Sequence, residues 1–194
     1  MDTLNLDLNK RYTYADYLTW VDDKRRELIN GVVNLMTPAP ARQHQKISGE
    51  IFTAFNIFLR KKKCEVYSAP FDVRLPKKGE KSDDKICNVV QPDITVICNP
   101  DKLDDKGCIG APDLIVEILS PATRRKDLKD KYKLYEQSGV KEYWIVYPNE
   151  KIIYQYVLNN KNKYEQKDIY TDDDKISPNI FPDLTIEFND IFDK

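Results

Sequence analysis

Two apolar segments in the middle of the chain each contain an isolated carboxylate. Asp93 lies in segment 89–98 and Glu117 lies in segment 113–121, and both segments are rich in valine and isoleucine. Segments of this composition and length predict buried strands. Because a carboxylate among apolar side chains is costly unless it is paired, each acid requires a cation, a hydrogen-bond network or a metal. Two such acids on neighbouring strands predict a metal site.

The surroundings of the two acids favour a hard cation. A period of two places Ile115, Glu117 and Leu119 on one face of their strand. Asp93 follows Pro92, which has no N–H, and this predicts a bulge or strand entrance that aims the acid into a cleft. Mg²⁺ prefers one or two carboxylates with water and phosphate oxygens. The alternative for each acid is a salt-bridged structural carboxylate or a surface turn residue.

The helix predicted over residues 123–138 contributes a candidate cation. At 3.6 residues per turn, one narrow sector of this helix contains four side chains: Arg124, Leu128, Lys131 and Tyr135. A lysine in such a stripe either extends along the surface with its ammonium group in water, or points into the cleft. In the cleft it would position a water nucleophile and stabilise charge on a phosphate. The pattern alone favours the surface arrangement.

Two further polar residues fall on apolar elements. His44 faces the apolar stripe of a helix predicted over 42–62, where a lone histidine is usually a hydrogen-bonded core residue. Glu27 opens a hairpin strand beside apolar residues, where it is either a pairing partner or a site acid. The basic cluster 60–63 is predicted to be the solvated end of the same helix.

Length and composition predict one soluble globular domain over residues 1–194. The chain is 41% hydrophobic and 32% charged, and its net charge of −1 excludes a global basic field. A nucleic-acid partner would therefore be contacted through local patches, of which 60–63 and 124–133 are the most basic.

The cysteine pattern argues against a zinc site and for a reducing compartment. The four cysteines form no C-x-x-C pair, and His44, the only histidine, lies far from them. Scattered cysteines in a chain of this size predict reduced thiols in the cytosol. The first ten residues contain no apolar stretch, and no segment approaches the ~18 residues that span a bilayer. The sequence therefore predicts a cytoplasmic protein that does not enter a membrane.

The elements that must position these residues alternate between helix and strand. Thr13 and Asp16 form a capping box that predicts a helix through about Val21. Asn30-Gly31 between apolar residues predicts a hairpin with a type I′ turn, and prolines 38 and 40 break the chain after it. The remaining strands are predicted over 64–75, 142–147, 152–157, 164–170 and 184–188. This order predicts a mixed α/β fold with a central mixed sheet flanked by helices, preceded by an N-terminal helix and a β-hairpin.

Several motifs, in this order and spacing, resemble the Uma-type branch of the PD-(D/E)XK phosphodiesterase superfamily. They are segments 27–31, 90–93, 112–121 and 139–144, together with Pro38 and His44. The resemblance covers roughly residues 12–190. It implies a restriction-endonuclease-like core in which Asp93 and Glu117 bind Mg²⁺, with Mn²⁺ as a substitute.

The chain departs from that family pattern at one position. Leu119 occupies the place of the usual lysine. In related nucleases this lysine can migrate to a neighbouring helix, which makes Lys131 the candidate here. The resemblance further implies that Glu27 and His44 border the site. Arg124, in the same helical sector as Lys131, is expected to contact a phosphate.

Two functional hypotheses follow from these observations. The first is a magnesium-dependent endonuclease that hydrolyses phosphodiester bonds of DNA, with Asp93, Glu117 and Lys131 as its catalytic residues. The second is a catalytically inactive module of the same fold that binds nucleic acid or protein, which the missing lysine and the neutral net charge favour. Because double-strand cleavage usually takes two sites, a homodimer is expected, with Tyr154 and Tyr156 as candidate interface residues.

Overall fold

The computed structural model describes residues 6–7, 9–36, 40–77, 79–121 and 124–192. These residues form two six-stranded mixed sheets and one two-stranded sheet, flanked by helices. The predicted mixed α/β class is therefore confirmed, although two large sheets take the place of a single central one. Pro38 and Thr123, where we predicted a chain break and a helix start, lie outside the described residues.

The fourteen strands are numbered in chain order over the described residues. They are β1 (Arg26–Ile29), β2 (Val32–Leu35), β3 (Glu65–Ser68), β4 (Val73–Arg74), β5 (Val89–Val90), β6 (Ile94–Ile97), β7 (Leu103–Asp104), β8 (Gly107–Ile109), β9 (Leu114–Ile118), β10 (Glu142–Tyr147), β11 (Ile152–Leu158), β12 (Tyr164–Tyr170), β13 (Lys175–Ile176) and β14 (Ile186–Glu187). The helices are α1 (Tyr14–Tyr17), α2 (Arg42–Leu59), α3 (Tyr132–Ser138) and α4 (Phe188–Phe192), with a 3₁₀ turn at Pro100–Lys102 and a π-helix at Lys126–Lys131.

The two large sheets have different strand orders. The first sheet runs β2-β1-β5-β4-β8-β7 and the second runs β12-β11-β10-β9-β6-β3. In the second sheet β9 and β10 are parallel, and the other neighbours are antiparallel. Parallel neighbours need a crossover connection, and the π-helix and α3 lie in that connection.

The central strands β9 and β10 of the second sheet are buried on both faces, which explains their long apolar segments. On one face, α2 packs Ile47, Ile51 and Phe55 against Val116 and Trp144. The opposite face carries Ile115 and Leu119 in a separate apolar cluster. Alternation along β9 therefore places Glu117 on this second face, as the period of two predicted.

Two local predictions near the N-terminus are confirmed. Asn30 and Gly31 have φ values of 52° and 77°, as a type I′ hairpin turn requires. Thr13 and Asp16 form the capping box. The helix is shorter than predicted, however, and ends at Tyr17. Val21 is 94% exposed, so extending the helix that far would bury no apolar surface there.

Two predicted strands are each divided in two. Segment 89–98 forms β5 in the first sheet and β6 in the second, because Gln91-Pro92-Asp93 crosses between the sheets and Pro92 has no N–H for a ladder. Segment 64–75 likewise forms β3 and β4. The predicted strand at 184–188 is reduced to β14, and α4 begins at Phe188.

The prediction of reduced thiols is wrong for two cysteines. Cys64 and Cys98 form a disulfide, whereas Cys87 and Cys108 are free. The register of β3 and β6 opposes Glu65 to Ile97, so the next pair outward is Cys64 and Cys98. Sequence spacing contains no information about this ladder.

Two surface predictions can also be compared with the structure. Residues 60–63 are exposed beyond the end of α2, as predicted for a solvated basic helix end. Among the described residues, no helix is both long enough and apolar enough to cross a membrane.

Gly107 provides a test of the first sheet. Its φ is +119°, and a Cβ atom there would lie 2.3 Å from the carbonyl oxygen of Asp72. We expect Gly107→Ala to lower the free energy of unfolding by about 1–3 kcal/mol from backbone strain alone, measured by urea denaturation. Gly49→Ala in α2 is the matched control, because nothing lies within 4 Å of its added Cβ. A Gly107 variant as stable as the control would contradict this close approach.

Candidate active site

Asp93 and Glu117 lie side by side where β6 and β9 meet. The antiparallel register pairs Ile94 with Val116, so the next pair is Asp93 and Glu117. The backbone N–H of Ile118 donates a hydrogen bond to Asp93 Oδ2 at 2.8 Å. This bond fixes the Asp93 carboxylate beside the strand that carries Glu117.

His44 approaches the same acid from α2. Its Nε2 atom lies 3.3 Å from Asp93 Oδ2. Burial opposes the charged imidazole, but the contact with Asp93 outweighs it and raises the pKa of His44. The histidine of the apolar stripe therefore lies at the site and contacts one of its two acids.

Glu117 is almost completely buried on the second face of the sheet. Lys131 Nζ at 2.8 Å and the hydroxyl of Tyr135 at 2.7 Å both donate to its Oε1 atom. Burial raises the pKa of Glu117 well above its ordinary value, and the nearby acids Asp127, Asp93 and Glu27 raise it further, against the lowering by Lys131. The carboxylate is positioned by two donors and lies in a field of other carboxylates.

Lys131 points inward, so the surface arrangement that its pattern favoured is wrong. The residue is 2% exposed. Its Nζ atom lies 2.8 Å from Oε1 of both Glu117 and Glu27, and 3.5 Å from Asp127 Oδ1. Burial would lower the pKa of Lys131, but the three carboxylates raise it well above its ordinary value. The ammonium group therefore remains protonated.

The π-helix explains why Arg124 does not accompany Lys131. Hydrogen bonds from i to i+5 in Lys126–Lys131 add a residue to the turn, so the predicted 3.6-residue sector does not extend through it. The Arg124 side chain is 55% exposed and lies 3.5 Å from Glu150. Its guanidinium group lies over the ring of Tyr147. The structure thus places Arg124 outside the site.

Glu27 joins the site from the first sheet. It is fully buried on β1, with Lys126 Nζ 2.5 Å from its Oε2. The backbone N–H of Gln91 donates to its Oε1 at 3.1 Å. Burial alone would raise the pKa of Glu27, but Lys131 and Lys126 lower it to about 2. Of the two alternatives that its position left open, the structure shows the pairing partner, because Glu27 contacts the ammonium groups of both Lys126 and Lys131.

Three residues of the site were not predicted from the sequence. Asp127 and Lys126 come from the π-helix, and Gln91 comes from the crossing between the two sheets. The i, i+4 spacing of Asp127 and Lys131 was visible in the sequence as an ion-pair signal. Nothing in the sequence indicated that Lys126 or Gln91 would reach Glu27 across the domain.

One cavity is lined by most of these groups, although Arg124, Glu27 and Tyr135 are not among its lining residues. Its polar lining consists of Arg25, Gln43, His44, Gln91, Asp93, Glu117, Ser120, Lys126, Asp127, Lys131 and Asn149. Leu119, at the position of the usual lysine, also lines it. An ammonium from the helix and two carboxylates from the sheet thus reach the same solvent-filled space.

The side chains that could bind a cation here are the two carboxylates of Asp93 and Glu117, rather than a larger group of ligands. In the described ranges, no group of three or more histidine, cysteine, aspartate or glutamate side chains is arranged to hold a metal ion. Asp93 Oδ1 and Glu117 Oε2 receive no hydrogen bond from any described residue. Two carboxylate oxygens completed by water are a common arrangement for Mg²⁺.

Comparison with known proteins places the chain in a family. Residues 14–189 match the Uma2 family, described as "Putative restriction endonuclease". The uncharacterized protein slr1290 of Synechocystis sp. (strain ATCC 27184 / PCC 6803 / Kazusa) is 28% identical over 122 residues. This match covers 62% of the chain and 60% of slr1290, less than two thirds of the relative's length.

A solved structure has the same fold. It is the crystal structure of a "putative nuclease belonging to DUF820" from Anabaena variabilis ATCC 29413, with a TM-score of 0.71. The similarity covers 93% of this chain and 97% of that one at 19% identity, so it concerns the fold alone. Since the family match extends over both large sheets and the cavity between them, this chain belongs to the Uma2 family of restriction-endonuclease-like proteins.

Proposed function

We propose that this protein is a Mg²⁺-dependent nuclease that hydrolyses phosphodiester bonds of DNA at the cavity between the two sheets. The observation that carries the proposal is the position of Lys131 Nζ, 2.8 Å from Glu117 and in the cavity that Asp93 lines. Family membership supports the same activity, because restriction endonucleases act on nucleic acid.

Asp93 and Glu117 would bind the cation through Oδ1 and Oε2, the oxygens without a donor from the described residues. The net negative charge of the site favours cation binding. Glu27, Asp93, Glu117 and Asp127 are four carboxylates, whereas Lys126, Lys131 and Arg25 are three basic groups among them or on the cavity wall. Mg²⁺ bound there, or Mn²⁺ in its place, would act as a Lewis acid on the phosphate.

The remaining side chains would orient the reacting groups. Ile118 N–H and His44 fix the Asp93 carboxylate, and Tyr135 fixes Glu117. Lys131 supplies a permanent positive charge beside Glu117, where it would stabilise the negative charge that develops on the phosphate. Because its pKa is raised, Lys131 acts as a charged group rather than as a base.

The decisive experiment is plasmid nicking with Mg²⁺ or Mn²⁺. We expect Asp93→Asn and Glu117→Gln each to lower the rate at least about a hundredfold, since each removes a charged ligand. Asp113→Asn is the matched control, because Asp113 is a buried strand-start acid paired with Lys141 outside the cavity. Activity that survives both site substitutions would refute the assignment.

A binding module of the same fold is the second candidate. The observation that favours it is the ion-pair network around Lys131. This network already neutralises part of the negative charge of Glu117 and Glu27 that would otherwise attract a cation. A binding module would take up no Mg²⁺ in calorimetry, and its DNA affinity would persist in Asp93→Asn. If phosphates dominate, this affinity would fall steeply with salt, whereas salt-independent binding would indicate a protein partner.

A further inference from the structure

We propose that a row of tyrosines beside the cavity stacks against the unpaired bases of a nucleic-acid strand. This row, called here the tyrosine row, consists of Tyr147, Tyr154, Tyr156 and Tyr132. The inference extends the proposed nuclease function and rests on it, because it assigns the substrate as a strand with unpaired bases.

The rings of the tyrosine row contact one another in sequence. Ring centroids of Tyr147 and Tyr154 are 5.3 Å apart, and those of Tyr154 and Tyr156 are 6.5 Å apart with nearly parallel planes. The Tyr132 ring lies 5.2 Å from that of Tyr156. The four side chains therefore make one continuous aromatic strip.

The tyrosine row lies on the same face of the second sheet as Glu117. Ile145 of β10 is paired with Glu117 on one side and with Tyr154 on the other. Directly paired residues point to the same face of a sheet, and neighbouring strands are about 4.8 Å apart. Tyr154 thus lies two strands, or about 10 Å, from the candidate metal ligand.

The row is also continuous with the cavity of the candidate site. Tyr147 and Arg124 line a shallow depression that shares several wall residues with that cavity. The shared residues are Leu119, Ser120, Pro121, Pro148 and Asn149. A strand that leaves the cavity in this direction would meet Tyr147 first.

The hydroxyl groups distinguish this row from the structural tyrosines of the same face. Tyr135, Tyr143 and Tyr164 are buried, and each donates a hydrogen bond to another residue. The four tyrosines of the row are only half-buried, and their hydroxyls have no hydrogen-bond partner among the described residues. Their rings are held by packing, while the outer parts remain accessible.

The charge beside the row fits a phosphate backbone. The continuous helical segment 124–138, which includes the π-helix and α3, has four exposed basic side chains: Arg124, Arg125, Lys129 and Lys133. Glu150 pairs with the first of them, and Asp130 is an exposed acid on the same helix. Basic side chains next to aromatic rings are the combination that binds single strands without sequence preference.

The test compares aromatic with aliphatic side chains in an EDTA buffer, where binding is independent of metal and of cleavage. The probes are fluorescein-labelled oligothymidylate and a hairpin duplex of equal length, followed by anisotropy. The wild type should bind the single strand more tightly than the duplex. Tyr154→Leu with Tyr156→Leu should weaken that binding about tenfold or more, whereas the matched Phe pair should stay within about twofold.

Each outcome decides the inference. Equal affinity of the Leu and Phe pairs, or tighter binding of the duplex, would overturn it. If the Leu pair instead changes the oligomeric state in light scattering without changing affinity, the row is an interface between two copies of the chain, and the inference fails. If the Leu pair weakens strand binding but the wild type does not nick DNA, the proposed nuclease activity is refuted. The inference that the tyrosine row binds a single strand would then still stand.

Discussion

Lys131→Met should lower the free energy of unfolding at neutral pH by about 3–5 kcal/mol, the cost of breaking a buried ion pair from one side. Lys131 is 2% exposed, and its ammonium group contacts Glu117 and Glu27 at 2.8 Å. Methionine of similar length fills the space without compensating the carboxylates. Urea denaturation measures the loss. The same variant should lower plasmid nicking at least about a hundredfold if Lys131 stabilises the phosphate.

A double variant separates charge from packing. Lys131→Met combined with Glu117→Gln should regain part of the lost stability, because the uncompensated carboxylate is removed together with the cation. Lys133→Met is the matched control, since that lysine is exposed two residues further along and should change stability by less than about 0.5 kcal/mol. If Lys131→Met were as stable as Lys133→Met, the stability of the fold would not depend on compensation of the buried carboxylates by Lys131.

Stability should fall in acid as Glu27 is protonated. The pKa of Glu27 is lowered from 4.5 to about 2 in the folded protein. A carboxyl group whose pKa is lower in the folded than in the unfolded protein stabilises the fold at pH values above the unfolded pKa. This contribution is lost as the pH falls from about 4.5 towards 2. At 1.36 kcal/mol per pKa unit, the loss is about 3 kcal/mol. Chemical denaturation across this pH range measures it.

Glu27→Gln isolates this contribution. The variant should be less stable than the wild type near pH 7, and the difference should shrink as the pH falls through the same window. Glu187→Gln is the control, because Glu187 forms an exposed pair with Lys175 that solvent screens. A constant difference between wild type and Glu27→Gln from neutral pH to pH 2 would contradict the lowered pKa.

Local patterns predicted the elements well where a short-range rule decides them. The Asn30-Gly31 turn, the Thr13 capping box and the alternation along β9 depend on neighbours within a few residues, and all three are confirmed. The predictions failed where distant contacts decide. Segment 89–98 was divided because its two halves pair with different sheets, and no local pattern contains that information.

Residue types and spacing alone singled out Asp93 and Glu117 as candidate metal ligands, because a carboxylate in an apolar strand requires compensation whatever the fold. Only the tertiary structure decided what surrounds them. The π-helix turns Lys131 inward and leaves Arg124 at the surface, and the first sheet brings Glu27 to the same ammonium group. These contacts join residues far apart in the chain. Their ion pairs and their burial depend on distances in the folded protein, which the order of residues along the chain does not fix.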